Sequence, residues 1–217
     1  MSVPFYAIIP SRMKSTRLPN KPLKDIAGRP MVVRVAERAA QSGATEVVVA
    51  TDHEAIFQSC ERFGVKAIMT SSAHPTGTDR LAETVEKLGL PDEAIVVNVQ
   101  GDEPLIPPEI VSAVANLLAS HPECGIATAA HPISSIEEFM NPNVVKVVRD
   151  VNGNAITFSR APIPWPRDAF RVDNTQLPEG FKPLRHIGLY AYRVGFLKQY
   201  PKWKQAPIEA LESLEQL

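Results

Sequence analysis

Short apolar runs at residues 6–9, 46–50, 66–69 and 94–99 alternate, along the first half of the chain, with segments whose apolar residues recur at helical spacing. Pro30 stands at a favourable first helical position. Met31, Val32, Val35, Ala36 and Ala39 follow on one stripe, and Gly43 can end that helix. Asp52 is positioned to cap a second helix reaching about Phe63, before Gly64. A third spans residues 78–88, and Pro107-Pro108 opens a fourth through Leu118. Strand and helix alternating in this way predict an α/β fold with a mostly parallel, Rossmann-like sheet and helices on both faces. Right-handed crossovers follow from chain handedness. Such sheets bind ligands outside the carboxyl ends of their strands, which nominates the loops at 10–24, 71–80 and 100–108.

After residue 120 the texture changes. Residues 126–130, 144–148 and 155–158 read as antiparallel strands, with Asn152-Gly153 as a hairpin turn, and 184–192 as a further strand. Between them lies a long excursion carrying Pro162, Pro164, Pro166, Pro178 and Pro183. Long loops of this kind tend to be functional or to contact partners. With no linker and no repeat, the expectation is one domain over residues 1–217, in which about 125–192 forms an antiparallel insertion serving acceptor binding and dimerisation.

Composition narrows the function classes. The 217 residues are 44% hydrophobic and 22% charged, so the chain can bury a core and is not disordered. A net charge of −1 argues against binding nucleic acid or a membrane through a global field. The N-terminal apolar run is short and bracketed by Pro4 and Pro10, which fits a strand rather than a signal peptide, and no stretch approaches the roughly 20 apolar residues of a membrane helix. Cys60 and Cys124 match no metal spacing and read as free thiols in a reducing cytoplasm.

The first 24 residues contain no acid, yet Arg12, Lys14, Arg17, Lys21 and Lys24 crowd the loop after the first strand. Alone, such a run describes a solvated face equally well. Its position is where α/β sheets hold phosphates. Neither G-x-G-x-x-G nor G-x-x-x-x-G-K-[ST] is present. Ser15, Thr16 and the cations, Arg12 and Lys21 among them, must then supply the donors to a triphosphate of about four negative charges. At the end of the fourth strand, Asp102 in Gln-Gly-Asp-Glu-Pro would face this loop. One carboxylate there suits Mg²⁺, which takes one or two protein carboxylates and completes its shell from phosphate and water. Glu103 is the reserve candidate, and a simple Gly-Asp turn is the plain alternative.

Residues 9–23, Ile-Pro-Ser-Arg-Met-Lys-Ser-Thr-Arg-Leu-Pro-Asn-Lys-Pro-Leu, resemble the I-P-A-R-x-x-S-T-R-L-P-x-K-P-L signature of the sugar-acid cytidylyltransferases, with Ser11 for the commoner Ala and Asn20 for the commoner Gly. The resemblance continues through Gly28-Arg-Pro-Met31, His74-Pro-Thr-Gly-Thr-Asp-Arg80, Val97-Asn-Val-Gln-Gly-Asp-Glu-Pro104, Phe158-Ser-Arg160, His186-Ile-Gly-Leu-Tyr-Ala-Tyr192 and Leu211-Glu-Ser-Leu-Glu-Gln-Leu217. It spans essentially the whole chain. It implies a nucleotidyltransferase sheet and a cytoplasmic homodimer. The implied reaction is transfer of CMP from CTP, with Mg²⁺, to the anionic sugar 3-deoxy-D-manno-octulosonate (Kdo), a step of lipopolysaccharide synthesis.

The resemblance also assigns residues. Asp102 takes the metal; the Thr78–Arg80 motif contacts cytidine, and backbone near Ala7 and Pro10, with Arg80, supplies the donors and acceptor that cytosine needs. Gln100, Arg160, His186, Tyr190, Glu215 and Gln216 fall in motifs associated with the sugar acid, and Arg17 is assigned to the same acceptor. Read from residues alone, Thr78 is a helix cap and Arg80 a surface residue. His186 is a core histidine, although a spacing of four puts it on one strand face with Tyr190. Trp165 and Trp203 read as packing residues. The family carries a second metal aspartate in a G-V-D-T-like motif on a strand and helix beyond Leu217, which the sequence does not include. Three other readings stay open: a sister enzyme for 8-amino-Kdo or sialic acid, a glycosyltransferase (although Asp102-Glu-Pro104 lacks the second aspartate of a D-x-D motif), and a non-catalytic nucleotide-binding module.

Overall fold

The computed structural model describes residues 3–13 and 18–217. The expected contacts of Ser15, Thr16 and Arg17 lie outside the described residues. In chain order the elements are β1 (Tyr6–Ser11), a 3-10 turn (Lys21–Leu23), β2 (Asp25–Ile26), β3 (Arg29–Pro30), α1 (Met31–Ala40), β4 (Glu46–Thr51), α2 (Glu54–Arg62) and β5 (Ala67–Met69). Next come α3 (Gly77–Lys87), β6 (Ile95–Asn98), α4 (Pro108–Ala119), β7 (Ile126–Pro132), α5 (Ile136–Met140), β8 (Lys146–Arg149) and β9 (Ala155–Ser159). The chain ends with α6 (Arg167–Val172), β10 (Leu184–Arg193), α7 (Val194–Leu197), a second 3-10 turn (Tyr200–Lys202) and α8 (Pro207–Glu212). These form two compact units, Met1–Thr128 with Leu189–Trp203, and Ala129–Gly188 with Lys204–Leu217.

In the first unit the strand order is β5-β4-β1-β6-β10. β5, β4, β1 and β6 are parallel, as the alternation of strand and helix requires, and β10 closes on β6 antiparallel. The sheet is therefore mixed. Strands β1 and β6 have neighbours on both sides, which explains why Ala7, Ile8, Ile9, Val96 and Val97 have no solvent exposure. Helices α1, α2 and α4 pack on one face. On the other, Leu81, Ala82 and Val85 of α3 and Val194 and Leu197 of α7 meet Ile8, Ala50, Val96 and Tyr192. The chain order reverses between β1 and β6, so the loops leaving these two strands open on a crevice, the usual ligand position in such sheets.

The second unit is built on the β8–β9 hairpin, with Leu184 and Arg185 of β10 pairing antiparallel to Val147 and Lys146. The Asn152-Gly153 turn belongs to a wider loop than expected. Arg149 pairs with Ala155 across a register shift, and Asp150 closes the loop by accepting from the backbone N–H of Asn152 and Asn154, each at 2.8 Å. Phe139 and Phe170 meet edge to face beside Phe181, and Trp165 packs its edge on Phe170 at 4.8 Å. The proline-rich excursion thus carries its own small core. Trp203, in the first unit, packs on Phe196 and Tyr200.

Three helix starts differ from expectation. Pro30 ends β3 and precedes α1, which begins at Met31. His53, not Asp52, caps α2, its Nδ1 accepting from the Ala55 N–H at 3.2 Å. Thr76, not Thr78, caps α3: its Oγ1 accepts from Asp79 N–H at 3.2 Å while Asp79 accepts from Thr76 N–H at 3.1 Å. That reciprocal box satisfies two donors at once, and Thr78 is left buried inside the first turn.

Candidate active site

β1 delivers Ser11 and Arg12 to the carboxyl edge of the sheet, and Arg12 is exposed there. The chain returns through Asn20, whose φ of +55° lies in the left-handed region. Glycine enters that region freely and asparagine more readily than other side chains, so this substitution leaves the loop shape intact. Pro22 then fixes a single 3-10 turn, closed by Lys24 N–H on Lys21 C=O at 3.1 Å. A two-residue Ala27-Gly28 hairpin follows, with both residues at positive φ, and Met31 N–H donating to Lys24 C=O at 2.8 Å ties the loop to the start of α1.

The loop leaving β6 comes down against this one because of Gly101. A Cβ there would stand 2.8 Å from the Pro10 carbonyl oxygen, inside van der Waals contact, so a side chain would force the two strand ends apart. Asp102 follows directly. Its Oδ2 accepts from Lys21 Nζ at 2.5 Å, with the side chains 49% and 33% exposed. At that exposure the pair is screened and contributes little to stability. It is exchangeable, which suits a group that meets ligands. Asp102 thus faces the basic loop, as the sequence leads one to expect. Among the described residues no group of three or more His, Cys, Asp or Glu converges on a metal-binding position.

Arg80 is buried rather than on the surface. Its guanidinium donates to Asp52 Oδ2 at 2.8 Å and to Thr70 Oγ1 at 2.5 Å, so one side chain from the first turn of α3 ties together the ends of β4 and β5. Ala7 lies mid-strand between two parallel neighbours, and Pro10 sits at the strand end, with Gly77 of α3 beside its ring. The loop before α3 is clipped by Glu83, whose carboxylate receives His74 Nε2 at 2.5 Å, Ser71 N–H at 2.8 Å and Lys87 Nζ at 2.7 Å. Partial burial alone would push that carboxyl up; these bonds outweigh it and hold it down at about 2.

Of the residues assigned to the acceptor, Gln100 and Tyr190 belong to the first unit, Tyr190 stacked beside Tyr192 at 5.8 Å. Asn98 precedes Gln100 by two positions and is the cross-strand partner of Tyr190. Arg160, His186, Glu215 and Gln216 belong to the second unit. There Arg160 donates through Nε to Glu212 C=O at 2.6 Å and through Nη1 to Pro142 C=O at 3.1 Å. The Glu212 carboxylate accepts from Ser159 Oγ and from Arg160 N–H, both at 2.6 Å. These bonds fasten the segment carrying Glu215 and Gln216 to the end of β9. His186 packs on Phe158 at 5.0 Å, and burial lowers its pKa to about 4, so the ring is neutral near pH 7.

Sequence reasoning missed several of these residues. Lys146 has no solvent exposure and spends its ammonium on the carbonyls of Asn141, Val144 and Arg160. The signal was a lone lysine centred in Val-Val-Lys-Val-Val. Asp52 and Glu212 pair with distant residues, and no local pattern announces that. Among the described residues, Ser11 Oγ and Asn98 Oδ1 are buried side-chain polar atoms without a hydrogen-bond partner.

A mixed sheet whose strand order turns at β1, with Arg12 and Lys21 on the loop leaving one strand and Asp102 on the loop leaving the next, opens a crevice fit for a phosphorylated ligand. Residues 6–217 match the profile of the cytidylyltransferases, and the chain belongs to that family, which makes the crevice that of a nucleotidyltransferase. Among solved structures it is similar to a CMP:2-keto-3-deoxy-manno-octonic acid synthetase in complex with CTP, at 43% identity over 99% of this chain and 84% of that one, with a TM-score of 0.89. A cytidylyltransferase from Leptospira borgpetersenii serovar Hardjo-bovis (strain JB197) shares the fold at 17% identity over 98% of this chain and 71% of that one, with a TM-score of 0.57. Among the described residues no helix is long and apolar enough to cross a membrane.

Proposed function

We propose that the chain transfers the cytidylyl group of CTP to the anomeric hydroxyl of Kdo, giving CMP-Kdo and pyrophosphate. The observation that carries the reading is Lys21 meeting Asp102 at the crevice between β1 and β6. The 43% identity to a synthetase of the corresponding sugar nucleotide supports the choice of acceptor. In this reading the hydroxyl oxygen on C2 of the sugar attacks the α-phosphorus in line. The bond from that phosphorus to the bridging oxygen breaks, and the hydroxyl proton leaves to solvent. Arg12 and Lys21 neutralise the charge growing on the departing pyrophosphate, with Ser15 and Thr16 as further phosphate donors. No covalent intermediate on the enzyme is needed, so catalysis is positioning and electrostatics.

The half-exposed Asp102 carboxylate fits Mg²⁺, which wants few protein ligands and takes the rest from phosphate and water. When bound, the ion supplies charge neutralisation at the α-phosphate. Arg80 with Thr78, Ala7 and Pro10 serves the cytidine. Gln100, Tyr190, Arg17, Arg160, His186, Glu215 and Gln216 serve the sugar acid. The protein acts as a homodimer in the cytoplasm, where free thiols such as Cys60 and Cys124 persist.

A pyrophosphate-release assay on the full-length protein tests this. Kdo with CTP and Mg²⁺ is expected to give turnover that chelation abolishes, and 8-amino-Kdo and N-acetylneuraminate are expected to turn over far more slowly. A preference for either competitor, or release of free CMP in place of pyrophosphate, would sink the assignment.

A further inference from the structure

Asn98 ends β6 between Ile8 of β1 and Tyr190 of β10, its register partners on either side. Side chains alternate across a sheet, so Asn98 shares a face with Val96, Ile8 and Tyr190, the face that α3 covers. Every neighbour named there is apolar or aromatic. The asparagine is 5% exposed, and its Oδ1 is buried without a donor among the described residues. Buried polar atoms are nearly always paired, because an unpaired one forfeits its hydration for nothing. A hydrophobic residue would serve the packing of this strand better. The carboxamide also stands at the carboxyl end of a central strand, two residues before Gln100 and four before Asp102, where ligands enter this class of sheet.

We propose that Asn98 is a specificity-determining residue whose Oδ1 accepts a hydrogen bond from a hydroxyl of the sugar-acid acceptor. The inference rests on the acceptor reading given above and deepens it. The chemistry recognised is a hydroxyl donor on a polyhydroxylated acid, presented beside Tyr190. The unsatisfied acceptor is a standing cost of the free protein that the correct substrate removes. An analogue lacking that hydroxyl leaves the oxygen buried and unpaired, which is how a polar site rejects a close isostere.

Asn98→Leu separates this from a structural role. The expected result is a rise of roughly tenfold or more in KM for Kdo, CTP affinity by calorimetry within about twofold of wild type, and a melting temperature equal to or above wild type. A KM that stays put, or a melting temperature that falls together with CTP affinity, overturns the proposal. Should leucine overfill the site, Asn98→Ala is read by the same KM criterion. The wild-type control keeps the two readings apart. No turnover of Kdo by wild type overturns the acceptor assignment and this inference with it, whereas normal wild-type turnover with an unaltered KM in the variant overturns only the role of Asn98. Among single-deoxy analogues of Kdo, one is expected to be discriminated by wild type and not by Asn98→Leu; equal discrimination of all of them by both proteins counts against the contact.

Discussion

At the scale of single residues, the pair Lys21–Asp102 carries the most weight. The two groups come from loops 81 positions apart and reach one another only because Gly101 has no side chain to strike the Pro10 carbonyl. Removing either charge leaves the fold nearly untouched, since both groups are partly solvated, and removes one electrostatic partner from the reacting phosphates. Lys21→Ala or Asp102→Asn is therefore expected to lower turnover by about 100-fold or more with little change in melting temperature. Pyrophosphate release within a few fold of wild type in either variant would refute the assignment. Charge and position of these residues were visible in the sequence. Their partner choice was visible only for Asp102, because a strand end facing a basic loop is a fold-level deduction. The Arg80–Asp52 pair joins residues 28 apart on separate elements, and neither side chain carries a local mark of it.

At the scale of elements, strands and helices of the first unit follow the hydrophobic pattern closely, because parallel strands buried on both faces must be continuous apolar runs. Caps were less legible. Thr76-Gly-Thr78 offers two threonines, and only the reciprocal bond from Asp79, three residues after Thr76, decides between them; that spacing was present in the sequence and points to Thr76. The hairpin loop at 150–154 widened because the Asp150 carboxylate outcompetes a two-residue turn for the backbone donors. Strand β10 has a consequence of its own. It carries His186 against Phe158, and its N–H bonds Val145 C=O at 2.8 Å. Burial lowers the ring pKa from 6.5 to about 4. The unfolded chain therefore takes up a proton that the folded one refuses. Stability from this group is full above pH 6.5, is lost as pH falls toward 4, and changes no further below that. The loss is on the order of 3 kcal/mol. His186→Leu is expected to flatten the dependence of unfolding free energy on pH between 7 and 4, as read by urea titration. An unchanged slope would mean the ring is charged in the native state.

At the scale of the whole molecule, the second unit leaves apolar side chains in solvent, with Val151 100%, Val172 84% and Ile156 65% exposed. The homodimer reading takes these side chains as candidates for its contact surface. Light scattering is expected to give twice the chain mass, and Ile156→Asp with Val172→Asp to shift the protein toward a single chain; a monomer at all working concentrations would dismiss the reading. Connectivity imposes a further condition. The backbone crosses from one unit to the other after Thr128, returns at Leu189 and leaves again after Trp203, so no single cut yields either unit as one contiguous fragment. During vectorial synthesis on the ribosome, β6 therefore waits with a bare edge until Tyr190–Arg193 has emerged, and the first unit completes its sheet only after Ala129–Gly188 of the second has been made.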